Sequence, residues 1–211
     1  MAANREARRA LLVDFGGVLT TSIWDSFAAF CRAEGLDPQA VRALFRERGE
    51  ALALLRRLET GAIGDGEFEE RFGRLLGVER TDGLIQRMFA GLEPNEPLVD
   101  AVRTARAAGL RTGLITNSWG TGIYDRAPLG EFDATVISGD VGLHKPQPEI
   151  YLLACKRLGI EPAEAVFVDD LRENVAGAEA VGMAGVLHRD NATTLAELER
   201  LLGIELAPAS P

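Results

Sequence analysis

The chain of 211 residues has only two cysteines, two histidines and 6% aromatic residues. Cys31 and Cys155 lie far apart, with no CxxC pair and no histidine at metal-ligand spacing, so neither a disulfide framework nor a zinc site is indicated. A reducing cytoplasm fits that usage best. Basic clusters are missing as well: 23 Lys and Arg stand against 32 Asp and Glu, a formal net charge of −9. Duplexes are held mainly through clustered Lys and Arg, and single strands through stacking aromatics, so a nucleic-acid binder is disfavoured. Apolar runs such as 10–13 and 165–168 fall far short of the roughly 20 residues that cross a bilayer, so no membrane association is expected. The opening MAANREARRA is basic, but Asp14 interrupts the apolar stretch behind it. That stretch stops short of the roughly 7–15 residues of a secretory core, so no export signal is expected.

What the chain does have is 46% hydrophobic residues, over a length that can build one sizeable core or a core with a small extra lobe. Five β-rich runs stand out: ALLVDF (10–15), RTGLIT (111–116), DATVIS (133–138), AVFVDD (165–170) and AGVLHR (184–189). Most are apolar almost throughout rather than alternating, the pattern of strands buried on both faces. Amphipathic segments around 97–108, 147–159, 172–181 and 194–202 accompany the later runs. Strand–helix alternation of this kind predicts an α/β fold, a Rossmann-like parallel sheet with helices on both sides.

Residues 21–94 break the alternation and read as an inserted lobe of four or five helices. Ile23, Phe27, Phe30 and Cys31 share one helical face, and Phe68, Phe72, Leu75 and Leu76 share another. The expected starts are Asp37 as N-cap with Pro38 at the first helical position, Asp65 ahead of the Phe68 helix, and Thr81 ahead of Leu84 and Ile85. Pro94 and Pro97 mark the return to the core. The expected division is a core of residues 1–20 and 95–205, a lobe of 21–94 and a flexible tail of 206–211. Opening of the lobe is expected to hinge near 19–22 and 92–97.

In an open parallel sheet, ligands bind beyond the carboxyl ends of the strands. Asp14 ends the first strand, Thr116 and Asn117 the second, and Asp169-Asp170 the fourth, while Lys145 sits in the Gly- and Pro-flanked loop GLHKPQP. Three carboxylates, one ammonium and one hydroxyl are thus expected in one crevice. A lone Asp at a strand end is usually a turn or cap residue. Adjacent acids after four apolar residues are different, because they carry a charge cost unless a cation is present.

DFGGVLT, LITNS, GLHKPQPEIY and VFVDDLRENVAGAEAVGM resemble, in order, the four motifs of the haloacid dehalogenase (HAD) superfamily. The resemblance covers essentially the whole chain. The helical insertion is similar to that family's C1 cap, and the later motifs are most similar to the branch of sugar-phosphate phosphatases and epoxide hydrolase N-terminal phosphatase domains. It implies a Mg²⁺-dependent hydrolase of a small phosphorylated metabolite, acting as a cytoplasmic monomer or homodimer. Asp14 would be the nucleophile and form an aspartyl phosphate. Asp14, the Gly16 carbonyl and Asp169 would hold Mg²⁺. Thr116, Lys145 and the backbone N–H groups of Phe15, Gly16 and Asn117 would bind the phosphoryl group. Asp170 would hold a metal-bound water or Lys145 in place, and Asn174 would tie the fourth loop together.

One position departs from the pattern. Phosphatases of the superfamily usually carry a second Asp two residues after the nucleophile, to protonate the leaving group and activate water; here Gly16 stands there. Three accounts stay open. The first is a phosphatase that uses good leaving groups or recruits another acid, His144 or a lobe residue such as Asp25. The second is a 2-haloacid dehalogenase, which also lacks that Asp but needs no metal and does not show the Asp-Asp pair. The third is a phosphate-binding or regulatory protein without efficient turnover. Trp24 and Trp119 are expected to pack at the lobe rather than to contact substrate.

Overall fold

A computed structural model describes residues 8–120, 122–124 and 129–206. The basic opening through residue 7 and the expected tail beyond Leu206 lie outside them. The chain begins with β1 (Ala10–Val13), then passes through five helices: α1 (Ile23–Ala33), α2 (Ala40–Glu47), α3 (Gly49–Glu59), α4 (Asp65–Leu76) and α5 (Leu84–Met88). There follow α6 (Glu96–Ala107), β2 (Arg111–Thr116), β3 (Ala134–Ile137), the short α7 (Ser138–Val141) and α8 (Pro148–Leu158). The chain then forms β4 (Ala165–Asp169), α9 (Arg172–Ala180), β5 (Ala184–Leu187) and α10 (Asn191–Leu202).

The strands form one parallel sheet in the order β3-β2-β1-β4-β5. Strand side chains alternate between its faces. Leu11, Val13, Leu114, Val166 and Val168 pack with α6 and α10 through Leu98, Val102 and Leu198. Leu12, Ile115, Val136 and Phe167 pack the other way, against Ile150, Tyr151 and Ala154 of α8 and Ala178 of α9. Burial on both faces is what the near-continuous apolar runs predict. The order of connection reverses between β1 and β4, so the crevice lies where β1, β2 and β4 end side by side.

The five helices between β1 and β2 enclose their own apolar core of Phe27, Phe30, Cys31, Leu54, Phe68, Phe72, Leu84 and Met88. Burying a Phe fully contributes about 1.5–3 kcal/mol, and three of these phenyl rings are at most 1% exposed. Trp119, in the loop after β2, inserts into this lobe core, with ring centroids 5.2 Å from Phe27, 5.4 Å from Phe89 and 5.8 Å from Phe45. Trp24 packs edge-on to Phe27 under the Arg42 guanidinium. The two connections to the lobe run side by side: Thr21 N–H donates to the Glu93 carbonyl and Asn95 N–H to that of Leu19.

Three of the expected helix starts shift. Asp37 does not cap α2; its carboxylate accepts the Gln39 N–H at 2.7 Å in a turn ahead of a helix that begins at Ala40. Asp65 is the first residue of α4, after Gly64. At α5 the cap comes from another helix, because Glu69 of α4 accepts the N–H groups of Gly83 and Ile85, each at 3.0 Å. A tertiary carboxylate therefore does what the local sequence assigns to Thr81.

Candidate active site

Asp14 directly follows β1, Asp169 closes β4 and Asp170 follows it. One carboxylate oxygen from each lies within 4.8 Å of the others. The Lys145 ammonium is inserted between two of them, 2.7 Å from Asp14 Oδ1 and 2.7 Å from Asp169 Oδ2. It is buried to 3% exposure and lies over the Phe167 ring, 5.4 Å from its centroid. Burial works against its charge, but the two carboxylates outweigh burial and hold it above the usual lysine range.

Lys145 reaches this point because Asn117 grips its backbone from the end of β2. Asn117 Oδ1 accepts the Lys145 N–H at 2.8 Å, and Asn117 Nδ2 donates to the Lys145 carbonyl at 3.1 Å. His144 Nδ1 donates to the same carbonyl at 2.9 Å. Thr116 is buried at the end of β2, its hydroxyl making a long 3.5 Å contact with the Asn117 carbonyl and a hydrogen bond with the Tyr124 side chain. Phe15 and Gly16 form the turn directly after Asp14, with the Phe15 ring edge-on to Tyr124. Asn174 donates to both oxygens of Asp169 at 3.0 and 3.1 Å, and Leu171 N–H donates to Oδ1 at 2.9 Å. Asp170 belongs to the carboxylate cluster but is not one of the two partners of the Lys145 ammonium.

The glycines are used differently. Gly17 has φ of +76°, and a Cβ there would meet Asp170 Oδ2 at 2.7 Å, so backbone sign and space both demand glycine. At Gly16 a Cβ would lie 3.0 Å from Ile23 Cγ2 of α1. The lobe thus fills the direction in which a side chain at position 16 would point.

Charge in the crevice is out of balance. Burial pushes Asp14 up to about 7, against the pull of Lys145, and Asp169 and Asp170 add repulsion. Burial and Asp169 push Asp170 up to about 6. Three oxygen donors facing one ammonium, with no sulfur or imidazole in the cluster, fit a hard divalent cation.

Sequence reasoning did not single out Glu59, the last residue of α3. Burial pushes its carboxyl up to about 7, while Lys145 and Arg56 attract it and Asp14 repels it, so it lies within electrostatic range of the same crevice. No local signal marks it, because its surroundings depend on where α3 docks.

These shifts give the protein an unusual pH dependence. Asp14, Asp170 and Glu59 hold protons more tightly folded than unfolded, where they titrate near 3.8 to 4.5. Between about pH 4 and pH 7 the unfolded chain therefore carries fewer protons, and stability falls as pH rises. His188, lowered by burial, acts in the opposite sense below its ordinary 6.5. In EDTA, the urea midpoint is expected to drop from pH 4.5 to pH 7.5, with a shallower slope in Glu59→Gln. A midpoint that rises over this range would contradict the charge imbalance.

A family model for haloacid dehalogenase-like hydrolases matches residues 8–182. Bifunctional epoxide hydrolase 2 of Sus scrofa is 36% identical over 130 residues, 56% of this chain and 23% of that protein. Phosphoglycolate phosphatase 1 of Pseudomonas aeruginosa is 28% identical over 188 residues, 83% of this chain and 67% of that protein. A HAD family enzyme of Bacteroides thetaiotaomicron, solved in complex with magnesium and inorganic phosphate, shares the fold with a TM-score of 0.67. It is 21% identical, over 86% of this chain and 94% of that one. The chain spans 19% to 24% of the length of the mammalian relatives it matches. With the family match extending over well more than half of its residues, this protein is a member of the haloacid dehalogenase-like hydrolases.

Proposed function

We propose that the chain is a Mg²⁺-dependent phosphatase acting on a small phosphorylated metabolite through an aspartyl phosphate on Asp14. The observation that carries the reading is the buried Lys145 ammonium held between Asp14 and Asp169, with a third carboxylate in the same cluster. Asp14 attacks phosphorus in line, and Thr116 with the backbone N–H groups of Phe15, Gly16 and Asn117 donates to the phosphoryl oxygens. Lys145 orients the Asp14 carboxylate and offsets charge on the transferring group. Asp14, the Gly16 carbonyl and Asp169 would hold Mg²⁺, which when bound neutralises the charge that otherwise keeps two anions apart. Asn174 and the Leu171 N–H keep Asp169 aimed at the crevice. Phosphatases among the relatives, and the magnesium and phosphate held by the Bacteroides enzyme, support the reading.

A second reading draws on Gly16: with Ile23 filling the space beside it, the chain binds phosphate without efficient turnover. One panel separates the two. Phosphomonoesters, acyl phosphates and 2-chloropropionate are assayed with Mg²⁺ and with EDTA. The phosphatase reading expects phosphate release that EDTA abolishes. Binding of inorganic phosphate with no product supports the second reading, and EDTA-insensitive chloride release would establish a dehalogenase instead.

A further inference from the structure

A phosphatase without the second Asp of its first motif still has to protonate a leaving alkoxide and deprotonate a water. Resting on the phosphatase reading, we infer that Glu59 of the lobe does both. The placement begins with the turn after α3. Ser138, buried at the end of β3, donates its hydroxyl to the Glu59 carbonyl, and the same hydroxyl oxygen accepts the Ser118 N–H at 2.7 Å. Two residues on, Gly61 has φ of +69° and lies so close to the Gly139 carbonyl that a Cβ would be 2.6 Å from its oxygen. The turn at 59–61 is thereby docked on the loop after β2 and on the start of α7, close in sequence to Thr116 and Asn117. Glu59 is half-buried there, and its carboxyl lies within electrostatic reach of both Lys145 and Asp14.

In-line attack by Asp14, from the sheet end, sends the leaving oxygen the opposite way, toward the lobe. Glu59 is a lobe residue, the last of α3. Of the other acids considered for the role, Asp25 is exposed and His144 is tied through Nδ1 to the Lys145 carbonyl, while at position 16 a Cβ would already lie 3.0 Å from Ile23 Cγ2. In the first half-reaction Asp14 Oδ bonds to phosphorus, the P–O bond to the alcohol breaks, and the Glu59 proton passes to the alcohol oxygen. In the second, water attacks phosphorus and gives its proton to the Glu59 carboxylate. The Asp14–phosphorus bond breaks, phosphate leaves and Glu59 is again protonated.

The test compares wild type, Glu59→Gln and Glu59→Asp on p-nitrophenyl phosphate, whose leaving group needs no proton, and on an alkyl phosphate. With the alkyl ester, Glu59→Gln is expected to lose about 10²–10⁴-fold in kcat. With p-nitrophenyl phosphate it should still release a burst of nitrophenolate equal to the enzyme concentration, followed by slow turnover as the aspartyl phosphate accumulates. Glu59→Asp should recover part of the alkyl-ester rate, and the thermal shift given by inorganic phosphate should match wild type in both variants. A Glu59→Gln rate within about threefold of wild type on the alkyl ester, or loss of the burst while phosphate still binds, overturns the assignment alone. Wild type that releases phosphate from no ester overturns the phosphatase reading and the assignment with it.

Discussion

Asp14→Asn is expected to leave a folded protein whose steady-state phosphate release, with Mg²⁺ present, falls at least about 10⁴-fold, the scale of removing a nucleophile. The reason is chemical rather than steric. Asn has the same shape, and its carbonyl oxygen can still accept from the Lys145 ammonium at the 2.7 Å position that Asp14 Oδ1 occupies. An amide oxygen does not form the acyl phosphate on which the proposed reaction turns. Circular dichroism and the thermal midpoint should therefore stay near wild type, while acid-stable incorporation of phosphate into the protein disappears. Retention of more than about a hundredth of the rate, with unchanged fold, would place the nucleophile elsewhere.

Lys145→Met is expected to have the largest effect on stability. The side chain keeps its length but loses the charge that sits between Asp14 and Asp169. Removing one partner of a buried ionic cluster costs about 3–5 kcal/mol, because the remaining charges are left uncompensated. In a chain of this size that lowers Tm by roughly 6–20 °C. The cause has two signatures. Acidification should narrow the gap to wild type, since the carboxylates can then neutralise by taking up protons. Magnesium chloride should recover part of the lost Tm, since a divalent cation restores positive charge to the same cluster. A Tm unchanged in EDTA at neutral pH would mean that the ammonium offsets no charge there.

Both expectations concern residues that stand out before any folding is considered. Strands buried on both faces need continuous apolar runs, so the sheet is written in consecutive residues, and an acid closing such a run is visible as an interruption. Asp14, Asp169 and Asp170 could be placed at strand ends for that reason, and Lys145 by its Gly- and Pro-flanked loop. The helical lobe was legible from 3.6-residue spacing, although its starts were not. Glu69 caps α5 from 14 residues away, and no local rule anticipates that.

The remainder of the site depends on contacts between distant segments. The Asn117 clamp on the Lys145 backbone joins residues 28 apart, and the Ser138 bond to Glu59 joins residues 79 apart. Trp119 belongs in sequence to the loop after β2, yet its ring lies among the phenyl rings of the lobe. The sequence by itself determined the sheet, the lobe and the acids at the strand ends, because each follows from periodicity or from the cost of burying charge. Only the tertiary structure decided which lobe residues come near the crevice and how closely Ile23 approaches Gly16. Both depend on how α1 and α3 dock against the sheet, and docking is set by the summed packing of many residues that no short stretch of chain encodes.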